Sequence, residues 1–374
     1  MNGTRLDPPL ESHPGCPARC PGCRFRALRY TAGIERKQAW LKTGLAAWQD
    51  RLAPVAQAPA GWRRHYRDRV SLHAVFDGQW RFGLLHRDNV IPVPECPVHH
   101  PRIIRLGAAL ARCLPEPDRF PLAYLVCTGR QATLVLKTHK MPDLSWRRQL
   151  SLAALDLDAL WLNLHPAAGR RLFAKRGWQL LLGSPWSVDA EGLRYGPQAF
   201  RQLVAPLHTL ALDLAQRYLA PIAGDVMLDL YCGLGAGLRR WQRAGARVLG
   251  VELGGEAVAC ARHNAPQTEV LRGACATRIP QMASWLAKRT GRRLAYLNPP
   301  RIGLEDATRD WLATDARPLR IAYLSCSAGT LGRDLSGLEA AGYRLDHLQP
   351  LDFFPGTHHV ETLALLSRPA ARDD

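Results

Sequence analysis

The sequence predicts an α/β protein whose C-terminal half is a doubly wound, largely parallel sheet of seven strands. From about residue 204, apolar runs of strand length recur at 226–231, 247–253, 269–271, 294–297, 321–325, 343–351 and 362–366. Helical segments separate the first five, and no clear helix lies between the last two. Strands alternating with helices need crossover connections, and those place neighbouring strands parallel. A glycine-rich stretch after the first of these strands, Asp229-Leu230-Tyr231-Cys232-Gly233-Leu234-Gly235-Ala236-Gly237, opens a helix. That is where an open α/β sheet receives a ligand, outside the carboxyl ends of its strands.

The first 200 residues have a different texture. Residues 1–14 are polar and Pro-containing and are expected to be a disordered tail. Residues 15–59 form a cysteine-cluster segment with an amphipathic helix at 32–48 and a Pro/Ala linker at 53–59, and Cys96 is expected to complete the cluster. Residues 60–203 form a basic α+β domain with strands at 70–76, 81–85, 122–127, 132–138 and 160–164. Residues 204–374 are expected to form a further domain, built on the doubly wound sheet. The chain has 374 residues and 47% hydrophobic content, enough for two domains with cores of their own. No window holds eighteen uncharged apolar residues, which argues against a membrane-spanning helix. The N-terminus lacks an apolar signal region, so a cytoplasmic protein is expected.

The net charge of +18 is uneven. Residues 1–200 carry 29 Lys and Arg against 15 Asp and Glu, and residues 201–374 carry 21 against 17. A GC-rich genome accounts for Arg replacing Lys but not for the excess over acids. Such an excess is the footprint of phosphate binding and predicts a nucleic-acid partner. Trp62-Arg63-Arg64-His65-Tyr66-Arg67-Asp68-Arg69 interleaves aromatics with cations, and Trp146-Arg147-Arg148 and Arg170-Arg171 through Lys175-Arg176 and Trp178 repeat the theme. These segments suit backbone contacts and base stacking on single-stranded loops.

In the glycine stretch, the absence of side chains lets backbone approach a ligand closely. Glu252, about twenty residues on and after the next strand, is placed to hold both hydroxyls of a ribose. This arrangement serves NAD and S-adenosylmethionine alike. Asn298-Pro299-Pro300-Arg301 ends the fourth strand, and Arg301 stands where amino-group methylation would want an aromatic residue.

Two C-terminal segments carry the reactive groups. Ser325-Cys326-Ser327 puts a thiol at the end of a strand, and His358-His359-Val360-Glu361-Thr362 puts a carboxylate at the start of another. A nucleophile paired with a base suits covalent chemistry on an electron-poor ring. Carbon 5 of a pyrimidine is a poor nucleophile until a thiolate adds to carbon 6. After carbon 5 is methylated, a base removes its proton and the thiol leaves. Cys326 fits the first role and Glu361 the second.

Cys16, Cys20 and Cys23 are too closely spaced to be core packing, and Cys96 is expected as the fourth ligand. Four thiolates suit zinc or an iron–sulfur cluster, and spacing does not separate the two. His13, His99 and His100 are read as solvated, with one of them as an alternative zinc ligand. Cys113, Cys127, Cys232, Cys260 and Cys275 are read as core or cofactor-adjacent thiols.

These motifs, in this order, resemble the RNA (uracil-5-)-methyltransferases from about residue 16 to 368. The carriers are Cys16 with Cys20-Pro21-Gly22-Cys23; Tyr66-Arg67-Asp68-Arg69-Val70; Gly83-Leu84-Leu85-His86-Arg87; Cys96-Pro97; Pro197 to Gln202; Asp229 to Gly235; Asn298 to Arg301; Ser325-Cys326; and Asp352-Phe353-Phe354-Pro355 through Glu361-Thr362. The resemblance implies a class I S-adenosylmethionine-dependent methyltransferase core, Rossmann-like, beside an α+β RNA-binding domain. It implies Cys326 as nucleophile, Glu361 as base, and Gln202, Tyr231, Glu252 and Asn298 as contacts to S-adenosylmethionine. It favours a [4Fe–4S] cluster on Cys16, Cys20, Cys23 and Cys96. The cysteines and the missing room for an extra RNA-binding barrel resemble the short branch that acts on uridine 747 of 23S rRNA, as a monomer. Another rRNA uridine, tRNA, and a catalytically weak RNA-binding or ribosome-assembly factor are the alternatives. The chain departs from the family at Ser327 and Val204, each in place of Asn, and at Ala236 and Gly237, where an aromatic residue is usual.

Overall fold

The computed structural model describes residues 7–169 and 171–368. The chain forms two compact units. The first comprises the N-terminal segment up to Gly33, Pro59–Leu203 and Pro355–His358; the second comprises Ile34–Ala58, Val204–Phe354 and the chain from His359 on.

The first unit is built on a mixed sheet. Its strands are β1 (Arg69–Phe76), β2 (Trp80–His86), β3 (Asn89–Pro92), β4 (Leu122–Thr128), β5 (Gln131–Leu136), β6 (Ala159–Leu164) and β7 (Trp178–Gly183). Their order is β3-β2-β1-β4-β5-β6-β7, antiparallel except for β5 and β6. Asp77-Gly78 turns β1 into β2, with Gly78 at φ +88°, a conformation glycine adopts without strain. A helix over Pro101–Cys113 lies on one face and buries Ile103, Leu106 and Leu110 with Leu125, Leu134, Leu160 and Leu162. The sequence reading missed β3 and β7, and also a short hairpin of β8 (Ser187–Val188) with β9 (Arg194–Tyr195). β3 and β7 are edge strands with few buried side chains, so period-two apolar alternation is weak there.

The second unit contains all seven expected strands: β10 (Val226–Leu230), β11 (Arg247–Glu252), β12 (Glu269–Arg272), β13 (Arg293–Leu297), β14 (Arg320–Ser325), β15 (Arg344–Leu351) and β16 (Glu361–Ser367). Their order is β12-β11-β10-β13-β14-β16-β15. The first five are parallel, and β16 runs antiparallel between β14 and β15. β10 has β11 on one side and β13 on the other, so strand order reverses there and opens a crevice at the carboxyl ends. Leu228, Leu230, Val251, Leu297, Ile321 and Leu366 fill the core from the sheet. Full burial of each such side chain contributes about 1.5–3 kcal/mol.

Three sequence expectations change. The expected tail 1–14 includes a helical turn at Leu10–Ser12, and Leu10 is buried where only a glycine, Gly356, leaves it room; residues 1–6 lie outside the described residues. The expected segment 15–59 does not stay together, because residues 34–58 belong to the second unit. Residues 53–59 are not a free linker. Leu52 and Ala56 bridge to Leu348 and Leu351 in parallel, and the Ala53 and Ala56 amides donate to the Leu348 and Pro350 carbonyls at 2.9 and 2.8 Å. The strap thereby covers the exposed edge of β15, whose unpaired amides and carbonyls need partners. Among the described residues, no helix is long and apolar enough to cross a membrane.

Candidate active site

The glycine stretch leaves β10 in a tight turn and enters a helix over Ala236–Arg243. Tyr231, Gly233 and Gly235 all have left-handed backbone, with φ of +60°, +54° and +85°. For a tyrosine this conformation is strained by about 1–3 kcal/mol, the kind of strain found at functional sites. The Tyr231 hydroxyl donates to Glu305 Oε2 at 2.5 Å, which fixes the ring against the loop after β13. The Asn298 amide donates to the Leu230 carbonyl at 3.2 Å, so Asn298 stands beside the turn.

Glu252, at the end of β11, ties the crevice together. One carboxylate oxygen accepts from the Gly233 amide at 3.1 Å and the other from the Gly254 amide at 2.7 Å. A carboxylate has about four lone-pair positions, so two stay available to a diol. Asp229 lies beneath the turn, fully buried, with Trp241 Nε1 donating to Oδ2 at 2.9 Å. Burial, reinforced by the charge of Glu252, pushes its carboxyl up to about 8 against the Trp241 hydrogen bond. Gly237 explains one departure from the family pattern. A Cβ there would fall 2.4 Å from Asp229 Oδ2 and 2.9 Å from Trp241 Nε1.

The reactive pair follows from strand register. Ser325 of β14 lies opposite Thr362 of β16, and Leu351 of β15 lies opposite Glu361. Cys326 and Glu361 are therefore the next residues out at the carboxyl end of β14. Burial pushes the Cys326 thiol up, the Glu361 charge adds to this, and Arg301 opposes it. All three groups thus share one neighbourhood. Ser327 caps the following helix, Ala328–Ala340, by accepting from the Thr330 amide at 3.5 Å. Serine and asparagine are comparable N-caps, so this departure keeps the local fold.

The second unit thus brings Tyr231, Glu252, Asn298, Cys326 and Glu361 to one end of one sheet. Gln202 belongs to the first unit, just ahead of the boundary at Leu203. Sequence reasoning passed over Glu305, which holds Tyr231, and Asp334, which is fully buried and accepts from the Leu304 amide at 2.9 Å and the Tyr323 hydroxyl at 2.8 Å to fix the loop after Arg301. It also passed over Lys37, which pairs in the core with Asp352. The signal for Lys37 was a lysine within an apolar helical stripe.

The four cysteines lie together in the first unit. Cys23 is pushed up to about 12 by burial and by Cys96, Cys20 and Cys16, with Arg67 opposing. Cys96 is raised by burial and by Cys20 and Cys16, while amides of Val98 and His99 donate to it. Gly15 lets this packing occur, since a Cβ would lie 1.9 Å from the Glu95 carbonyl oxygen. Among the described residues no group of three or more His, Cys, Asp or Glu side chains is arranged to hold a metal ion. The donor set, four thiols with N–H donors and a guanidinium beside them, suits a cluster in chemical terms. His99 is buried rather than solvated, and burial with Arg67 pushes it down to about 4. His100 caps the helix at Pro101–Cys113.

Trp146 is also corrected. It is 3% exposed and packs edge-on against Phe120 at 5.4 Å, so it is core and cannot stack on a base. Arg63 pairs with Asp7 and lies over Tyr30, and Arg201 pairs with Asp68. Trp178 is half-buried against Phe173 and Trp161. Arg170 lies outside the described residues.

A parallel sheet with a glycine crevice at its switch point, closed by an antiparallel last strand, defines a Rossmann-like, class I methyltransferase. The family profile of the tRNA (uracil-5-)-methyltransferases matches residues 290–369. The 23S rRNA (uracil(1939)-C(5))-methyltransferase RlmD of Alkalilimnicola ehrlichii is 30% identical, over 97% of this chain and 84% of that protein. RlmD of Pseudomonas aeruginosa is 29% identical, over 93% and 78%. The solved tRNA (uracil-54, C5)-methyltransferase of Pyrococcus abyssi, in complex with S-adenosyl-L-homocysteine, shares the fold, with TM-score 0.71, 22% identity and coverage of 93% of this chain and 86% of that one. The chain belongs to the RNA (uracil-5-)-methyltransferase family, and it is an enzyme of that class.

Proposed function

We propose that this enzyme methylates carbon 5 of a uridine in 23S rRNA through a covalent adduct between Cys326 and carbon 6 of the base. The observation that carries the reading is the register of β14 and β16, which brings Cys326 and Glu361 together at the carboxyl end of β14. S-adenosylmethionine supplies the methyl group when bound. Glu252 offers its free lone pairs to the ribose hydroxyls, and Tyr231 and Asn298 shape the crevice. The uridine leaves its stack to reach Cys326. The thiolate adds to carbon 6, which makes carbon 5 enolate-like. Carbon 5 takes the methyl group and becomes saturated; Glu361 then takes its proton, and the double bond re-forms as the thiolate leaves.

The basic domain at 60–203 binds the RNA, and the protein acts as a monomer. Cys16, Cys20, Cys23 and Cys96 hold a [4Fe–4S] cluster that ties the N-terminal segment to this domain, with no redox step in the reaction. Uridine 747 is the target that the family resemblance implies. The names of the RlmD relatives favour a second reading within the same RNA, uridine 1939.

A mass map of 5-methyluridine in 23S rRNA from cells lacking this protein, with rescue by wild type and by Cys326→Ala, tests both readings. Loss of one mark at 747, restored by wild type alone, is the expected result. Loss at 1939 selects the second reading. An unchanged rRNA map overturns the rRNA assignment and turns attention to tRNA.

A further inference from the structure

We propose that Lys37 is a positioning residue for proton abstraction: it fixes the segment Asp352-Phe353-Phe354 and, through that segment, the placement of Glu361. The inference rests on the roles proposed above for Cys326 and Glu361. Lys37 lies on a helix at Tyr30–Gly44 whose inward stripe is Ile34, Lys37 and Leu41, continued by Leu45 just past its end. Leu41 and Leu45 are fully buried in the core of the second unit, and the Lys37 side chain is 1% exposed. A lysine in such a stripe needs partners for its ammonium group. It has two: the carboxylate of Asp352 and, at 3.0 Å, the carbonyl oxygen of Phe354. One ammonium therefore pins both ends of a three-residue segment that is 315 residues away in sequence.

A buried ion pair is weak evidence of a stabilising role. Replacing a buried ion pair by apolar residues of similar volume is often neutral or stabilising. What the ammonium adds is direction, and the segment it directs belongs to the turn between β15 and β16. Leu351, the last residue of β15, faces Glu361. Asp352 follows, its own amide donating to the Ala56 carbonyl at 2.9 Å. Phe353 is fully buried. The Phe354 ring meets the His359 ring edge-on at 5.8 Å, and His359 is two residues before Glu361. Rotation or slippage of this segment moves the start of β16, and with it the carboxylate.

The step most sensitive to that movement is the last. The Glu361 carboxylate takes the proton from carbon 5, and the electrons of that C–H bond form the carbon 5–carbon 6 double bond. As that double bond forms, the carbon 6–sulfur bond breaks and returns a thiolate to Cys326. Formation of the adduct and methylation do not use Glu361 as base, so mispositioning it uncouples release from transfer.

The test uses the full chain, S-adenosylmethionine and a uridine-containing rRNA fragment. It reads the covalent protein–RNA adduct on denaturing gels, released 5-methyluridine and the unfolding temperature. The variants are Lys37→Arg, Glu361→Gln and the double variant Lys37→Met with Asp352→Asn, which leaves no unpaired buried charge. For the double variant, product release slows roughly ten- to a hundredfold, methylated adduct accumulates and the unfolding temperature stays near wild type. Lys37→Arg, which keeps the charge, recovers part of the release rate. Wild-type release in the double variant overturns the proposal, as does a fall in transfer and release in equal proportion. A double variant that does not fold assigns the pair to stability and also overturns it. If Glu361→Gln accumulates adduct and the double variant does not, this proposal alone fails. If Glu361→Gln accumulates none, the base assignment fails first.

Discussion

Ser325 and Thr362 face each other across the antiparallel pairing of β14 and β16, and this register sets Cys326 beside Glu361. The thiol is held up by burial and by the Glu361 charge, and drawn down by Arg301. Only the thiolate attacks carbon 6, so adduct formation rises with pH through the neutral range. Removing the negative neighbour lowers the thiol, so Glu361→Gln shifts the rising limb to lower pH. Removing the cation raises it, so Arg301→Ala shifts the limb to higher pH. Adduct formation with 5-fluorouracil-containing RNA, measured across pH for the wild type and both variants, checks this. Shifts in the same direction would show that charge at Cys326 does not set the profile.

Asp229 gives a pH dependence of stability with the opposite sense to ordinary acid denaturation. Its carboxyl titrates near 8 in the folded protein and near 3.8 when exposed. Below the lower value both states are protonated and the native state bears no penalty. As pH rises towards 8, the unfolded chain ionises first and stability falls, by on the order of 1.4 kcal/mol per pH unit at most. Asp229→Asn keeps an acceptor for Trp241 and removes the titration. The variant's advantage in unfolding free energy over wild type should therefore grow between pH 5 and pH 8. Parallel pH profiles for the two proteins would sink this account.

The cysteine set predicts a metal-dependent stability. Protein purified without oxygen should carry iron and acid-labile sulfide, and Cys20→Ser or chelation should remove them and lower the unfolding temperature. Zinc without sulfide would instead identify a single-ion site on the four thiols. Loss of either metal should leave S-adenosylhomocysteine binding near wild type, because Glu252 and the glycine turn lie in the other unit.

Most of the second unit was legible because its strands are buried on both faces and read as unbroken apolar runs, as at Ile321 to Leu324. The order β14-β16-β15 was not legible, since no local pattern says which neighbour an antiparallel strand joins. Cys326 and Glu361 could be paired from residue chemistry alone, but the register that joins them comes from the fold. Trp146 and His99 were misread because aromatic and basic neighbours look alike whether they face solvent or core. Residues 53–59 looked like a linker because Pro and Ala carry no strand signal, yet their backbone pairs with β15. Lys37 was invisible as a partner because Asp352 is 315 residues away.

Glu252 gives the most direct test of the cofactor crevice. Both of its oxygens already accept backbone amides, from Gly233 and Gly254, so the carboxylate organises the crevice whether or not a ligand is present. In Glu252→Gln the side-chain NH₂ replaces one of those oxygens and confronts an amide N–H, donor against donor. The loss of a hydrogen bond to a charged acceptor costs about 1.5–3 kcal/mol. That corresponds to roughly a ten- to a hundredfold weaker binding of S-adenosylhomocysteine, measured by titration calorimetry. RNA affinity should stay near wild type, since the basic domain is a separate unit. Glu252→Asp keeps the charge but shortens the reach, so one amide loses its partner and the affinity should fall between the two. Wild-type affinity in Glu252→Gln would mean that the nucleoside is held elsewhere and that Glu252 serves the turn alone.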